Sequence, residues 1–96
     1  AMDGKTRANV LHRVADAIEQ GDLASISVMM TREMGKPFPE AMGELANVAP
    51  IFRYCAELAR DEAGKVAAPI QPGSFQYSRY FPYGVSLHIV PYNFPI

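Results

Sequence analysis

The sequence predicts an α/β chain, with helices first and strands after. Three observations carry that prediction. Apolar residues recur at three- and four-residue spacing through most of the first 64 positions, Phe75–Phe81 alternates strictly, and Val85–Val90 is a short apolar run followed by proline. The first pattern is one face of a helix and the second a half-exposed strand. The third suits a strand covered on both faces in a parallel sheet. We divide the chain into a helical segment, 1–64, a connector with an aromatic strand, 65–84, and a second strand with its following turn, 85–96.

The first helix is expected to open near Asp3, whose carboxylate suits an N-cap, and to bury Val10, Leu11, Val14 and Ile18. Gly21 is expected to end it in the left-handed geometry that glycine tolerates best. Asp22 then caps a second helix lined by Leu23, Ile26, Met30 and Met34, and Gly35 closes it before Lys36-Pro37. A turn this tight predicts that the two helices pack as an antiparallel or crossed pair.

The third helix opens with Pro39 in its first turn and Glu40 near the positive end of the dipole. Met42, Leu45, Ala49, Phe52, Ala56 and Ala59 form a seam that runs toward Gly64. Pro50 interrupts it, removing the bond to the Ala46 carbonyl at a cost of roughly 3 kcal/mol if unrelieved. Two helices broken at Ala49 would also fit. One kinked helix is favoured, because the stripe stays in phase across the proline.

Residues 65–74 read as a connector punctuated by proline and glycine. In the strand that follows, Phe75, Tyr77, Arg79 and Phe81 share one face and Gln76, Ser78 and Tyr80 the other. Pro82-Tyr83-Gly84 breaks the pattern before Val85–Val90. That run ends in Pro91-Tyr92-Asn93-Phe94-Pro95, where two prolines restrict the backbone on either side of Asn93. An amide at the end of a buried strand is well suited to donate a hydrogen bond into a pocket.

Composition excludes several functions. A net charge of −1, from nine basic and ten acidic residues, supplies no electrostatic footprint for nucleic acid. Cys55 is the only cysteine, so neither an intrachain disulfide nor a cysteine zinc cluster can form. His12 and His88 stand apart, which argues against a histidine-rich metal site. No apolar run is long enough to span a bilayer and no basic-then-apolar leader opens the chain, so a cytoplasmic protein without membrane partners is expected.

Other residues that invite a chemical role have simpler explanations. Cys55 lies within the third helix beside its stripe, and a buried structural thiol is expected there. His88 alternates with apolar neighbours, as a packed or sheet-edge residue would. Gly35-Lys36-Pro37 lacks the glycine-rich loop and following Ser/Thr of a phosphate loop, so helix termination is preferred. Tyr77, Arg79, Tyr80 and Phe81 could stack on bases, but the balanced charge favours strand packing.

The ordered set Arg7 and Leu11, Glu33–Pro37, Tyr54-Cys55-Ala56, Pro82–Val85 and Pro91–Pro95 resembles the N-terminal part of the NAD(P)-dependent aldehyde dehydrogenase superfamily, in the manner of the succinate-semialdehyde dehydrogenases. The resemblance covers nearly the whole chain, and its most specific element is P-Y-G-V followed by P-Y-N-F-P. Tyr92 stands where many relatives carry Trp, which keeps an aromatic at the position. The resemblance implies the first strands of an incomplete Rossmann-like domain, with an oligomerisation strand over Phe75–Phe81. It implies oxidation of a small aldehyde to a carboxylic acid with NAD or NADP, in a homodimer or homotetramer.

By the same resemblance, Asn93 is the catalytic asparagine that stabilises the oxyanion of a cysteine thiohemiacetal. Val90, Pro91 and Tyr92 would form one wall for the nicotinamide. The competing account of Asn93 is a turn asparagine bonded to its own backbone. The nucleophilic thiol and the glutamate base of the family would lie beyond Ile96, so the chain alone is expected to be an inactive fragment. General likeness points to semialdehydes as substrates. The alternative from another class is a non-catalytic helical interaction module whose aromatic strand adds to a partner sheet.

Overall fold

The computed structural model describes residues 2–61 and 64–96. Three helices come first, α1 (Gly4–Glu19), α2 (Leu23–Met34) and α3 (Phe38–Leu58), and two short strands follow, β1 (Val66–Ala67) and β2 (Gln76–Tyr77).

Local chemistry accounts for most helix ends. The Asp3 carboxylate accepts from the Thr6 backbone N–H at 2.8 Å, and the Thr6 hydroxyl donates to its other oxygen at 3.0 Å. Asp22 repeats the arrangement with the Ser25 N–H at 3.0 Å and the Ser25 hydroxyl at 2.6 Å. Each cap satisfies a helix donor that has no intrahelical partner. Gly35 ends α2 at φ 77°, its N–H bonded to the Thr31 carbonyl at 2.9 Å. Glycine adopts that left-handed conformation without strain.

Gly21 behaves differently from expectation. The α1 cap is Gln20 in right-handed geometry, and Gly21 is not among the glycines of positive φ. A side chain at Gly21 would come within 3.2 Å of the Ile18 carbonyl oxygen, so its small size is what the turn uses.

α3 runs unbroken through Pro50, as the in-phase seam predicted. Ala46 and Pro50 both lie on the exposed side. Water can therefore replace the bond that the Ala46 carbonyl loses. The helix stops at Leu58, earlier than the expected approach to Gly64.

α1 and α2 pack chiefly on α3 rather than on each other, contrary to the expectation of a paired α1–α2 turn. The reason lies in the buried residues. Ala8 and Ala15 of α1 and Ala41, Ala49 and Ala56 of α3 are all buried, and such small side chains let backbones approach closely. Met30, Ala41 and Leu45 form the apolar cluster between α2 and α3, with Leu23 against it. Val10, expected inside, is exposed. Ser27 is fully buried, its hydroxyl satisfied by the Leu23 carbonyl at 2.8 Å. Arg53 ties α3 to the end of α1 through Asp16 at 2.8 Å and Glu19 at 2.6 Å.

The strand region departs further from expectation. Only Gln76–Tyr77 of the predicted Phe75–Phe81 strand is strand, and its antiparallel partner is Val66–Ala67, inside the supposed connector. Val66 stands opposite Tyr77 and Ala67 opposite Gln76. The Val85–Val90 run enters no sheet, and Val85, Leu87 and Ile89 are at least 89% exposed. The parallel strand predicted over Val85–Val90 is therefore not formed among the described residues. Such a strand needs a hydrogen-bonding neighbour and covered faces. Among the described residues, β1 and β2 are the only strands and they pair with one another.

The radius of gyration is 19.4 Å, against about 12.5 Å for a compact domain of this length. The accessible surface is 7912 Å², against roughly 5,500 Å² for a folded monomer of this mass. Many apolar side chains after Gly64 are exposed, Ile70, Phe75, Phe81, Tyr83 and Val85 among them.

Candidate functional site

The segment that carries Asn93 returns to the helices. Pro91 opens a turn in which the Phe94 N–H donates to the Pro91 carbonyl at 3.3 Å. The Asn93 carbonyl oxygen accepts from Lys36 Nζ at 2.9 Å. The same ammonium is ion-paired with Glu44 Oε2 and sits 3.9 Å from the centre of the Phe94 ring. The other Glu44 oxygen, Oε1, accepts from the Ile96 N–H at 3.2 Å. Ile96 also borders an apolar cavity of about 430 Å³ lined by Val14, Ile18, Leu23, Ile26, Leu45 and Val48. The turn is thus held by a charged pair on one side and an apolar seat on the other.

Local folding explains why Lys36 and Glu44 meet. Gly35 reverses the chain after α2 and leaves Lys36 at the α2–α3 junction. Glu44 follows Ala41 by three positions on the buried face of α3. The side chains of Lys36 and Glu44 are only 8% and 5% exposed. A buried charge persists only when it is paired and its remaining hydrogen-bonding capacity is used. Both conditions are met: each Glu44 oxygen has a donor, and Lys36 spends its charge on a carboxylate, a carbonyl and an aromatic face.

Among the described residues nothing binds the Asn93 carboxamide, and Asn93 is exposed. Among the described residues no hydrogen bond closes the turn through the Asn93 side chain. The backbone of Asn93 is anchored while its side-chain N–H donors remain available.

The other candidates are placed as follows. Val90, Pro91 and Tyr92 run consecutively into the turn, with Val90 53% and Tyr92 83% exposed. By themselves the described residues do not make a dinucleotide site. Among the described residues Val85–Val90 joins no sheet, and none of the three helices offers its N-terminus beyond the end of that run, where a pyrophosphate would lie. Cys55, expected to be buried, is exposed, because it falls outside the face that buries Ala49 and Ala56. His88 is exposed as well, its Nε2 2.9 Å from the Ser86 hydroxyl. No helix of the described residues is long and apolar enough to cross a membrane.

Sequence reasoning missed Lys36 and Glu44. Lys36 was absorbed into a helix-stop motif. Glu44 gave a usable signal: a carboxylate between Ala41 and Leu45, on the apolar face, demands a cationic partner.

A model of the aldehyde dehydrogenase family matches residues 1–96. The chain is 37% identical over 95 residues to the alpha-ketoglutaric semialdehyde dehydrogenase of Bacillus subtilis, covering 99% of this chain and 19% of that protein. It is 41% identical over 97 residues to succinate-semialdehyde dehydrogenase [NADP(+)] 1 of Mycobacterium ulcerans, covering 94% of this chain and 20% of the relative. Human aldehyde dehydrogenase 1A1 is 35% identical over 96 residues, with 99% and 19% covered. The chain therefore spans about a fifth of the length of these relatives. No solved structure matches it.

Proposed function

Because the chain belongs to the aldehyde dehydrogenase family, we propose that it supplies the oxyanion-stabilising segment of an enzyme that oxidises an aldehyde to a carboxylic acid with NAD or NADP. In that reaction a thiolate adds to the aldehyde carbon and the carbonyl oxygen becomes an alkoxide. An amide N–H aimed at that oxygen stabilises the negative charge more than it stabilises the neutral carbonyl, and so lowers the barrier. Asn93 is the donor in this reading. Its thiol partner and the general base come from sequence outside this chain. A dinucleotide held by the completed enzyme would serve as the hydride acceptor.

The observation that carries the proposal is the division of labour at Asn93. Its carbonyl is tied down by Lys36, and its carboxamide is free to donate. Val90, Pro91 and Tyr92 belong to the proposal as one apolar wall beside the nicotinamide, completed by other elements of the enzyme. The exposed run that precedes them supports this reading, since Val85, Leu87 and Ile89 are left for other elements to cover. We place the substrate among the semialdehydes, in keeping with the names of two of the relatives. Cytoplasmic location and homo-oligomeric assembly, as dimer or tetramer, belong to the same proposal.

Steady-state kinetics of Asn93→Ala in the full-length enzyme test the reading. Loss of one oxyanion donor lowers kcat about a hundred- to a thousandfold. A wild-type kcat would overturn it.

The exposed edges of β1 and β2, together with the same apolar run, favour a second reading, a non-catalytic module that adds a strand to a partner sheet. On that reading Asn93→Ala is silent, and charges introduced at Leu87 and Ile89 abolish partner binding.

A further inference from the structure

Lys36 and Glu44 lie outside the aldehyde chemistry, yet they hold the segment assigned to it. We infer that this buried pair is a positioning device that sets the direction of the Asn93 carboxamide. The inference rests on the oxyanion reading of Asn93.

The geometry supplies the argument. Lys36 Nζ bonds the Asn93 carbonyl oxygen at 2.9 Å. That bond orients the peptide plane between Asn93 and Phe94, and with it ψ of Asn93. The ammonium also lies 3.9 Å from the Phe94 ring centre, which holds the next residue from the side. Glu44 Oε1 takes the Ile96 N–H at 3.2 Å and secures the turn two residues further on. Three contacts from one ion pair thus converge on Asn93–Ile96. With the backbone held on this side, the Cα–Cβ bond of Asn93 has a defined direction and the carboxamide projects from a rigid base.

A buried ion pair is a poor way to gain stability, because desolvation consumes much of the Coulombic gain. It is a good way to impose one geometry, since neither charge can be left without the other. The burial of both side chains keeps water from replacing the Lys36–Asn93 bond. Catalytic donors demand such control: a displacement of about 1 Å can cost on the order of a hundredfold in rate.

A double-mutant cycle in the full-length enzyme tests the inference. Lys36→Met, Asn93→Ala and the double variant are compared by kcat and KM. Lys36→Met is expected to lower kcat about ten- to a hundredfold with KM little changed. In the Asn93→Ala background it is expected to cost nothing more, because the group it positions is gone. Losses that multiply would show that Lys36 acts independently of Asn93 and would overturn the inference. A slow Asn93→Ala enzyme beside a Lys36→Met enzyme of wild-type speed would overturn it while leaving the oxyanion reading intact. An Asn93→Ala enzyme of wild-type speed would overturn the oxyanion reading, and this inference with it. Should Lys36→Met be recovered unfolded, Glu44→Gln takes its place. It keeps the volume and the acceptor for Ile96 but removes the charge that holds Lys36. A folded Glu44→Gln enzyme with wild-type kcat would equally overturn the inference.

Discussion

Lys36 and Asn93 are 57 positions apart in the chain and joined by a 2.9 Å hydrogen bond, ammonium to backbone carbonyl. The bond links a helix-stop motif near the start of the chain to the proline-bracketed turn near its end. Glu44 stands behind the ammonium and makes the contact obligatory, since the buried charge has no alternative partner in solvent.

The pair gives a stability prediction separate from catalysis. Lys36→Met leaves the buried Glu44 carboxylate uncompensated and should destabilise the fold by about 3–5 kcal/mol. Lys36→Met with Glu44→Leu removes both charges and should recover most of that loss. Urea unfolding of both variants checks the pattern. A double variant as unstable as the single one would contradict it.

Acid should loosen α1 and α2 first at their N-termini. Hydrogen bonds from Thr6 hold Asp3 below its ordinary value of 3.8, the backbone N–H foremost. Ser25 does the same to Asp22, there chiefly through its hydroxyl. A depressed folded value means the stabilisation is complete above the unfolded value. It is lost as pH falls through the folded one. Helicity by circular dichroism should therefore hold above about pH 4 and decline below it. Asn at both positions keeps an N-cap and should flatten that decline; an unchanged pH profile would contradict this account.

Gly35→Ala should destabilise the chain by about 1–2 kcal/mol, because φ is 77° and a side chain there is strained. No steric neighbour adds to the cost, as a methyl group there would meet nothing within 4 Å. Thermal unfolding measures it. The equivalent change at Gly43, inside α3, should instead be neutral or stabilising.

Much of the helical half was legible because its determinants are local. Asp3 and Asp22 act on residues three positions away, and Gly35 acts on its own backbone. The seam across Pro50 was legible for the same reason. Gly21 was misread because glycine after a helix has two uses, and only the backbone angle separates them. Cys55 was misread because the buried face of an alanine-lined helix is narrow. The pairing of Val66–Ala67 with Gln76–Tyr77 was hidden by Pro69 and Pro72 between them, which made the stretch read as connector. Val85–Val90 has strand composition, but a strand exists only with a partner, and sequence pattern does not supply one. The tie from Lys36 to Asn93 was illegible for the opposite reason: two residues chemically ordinary where they stand become a unit only through the fold.

The Asn93 carboxamide as oxyanion donor is the central claim, and the pre-steady-state burst of NAD(P)H measures it most directly. Stopped-flow mixing of the full-length enzyme with cofactor and aldehyde reads thiol addition and hydride transfer before deacylation and product release. Asn93→Ala should slow that phase by about a hundred- to a thousandfold. A burst of wild-type rate from a folded Asn93→Ala enzyme would contradict it.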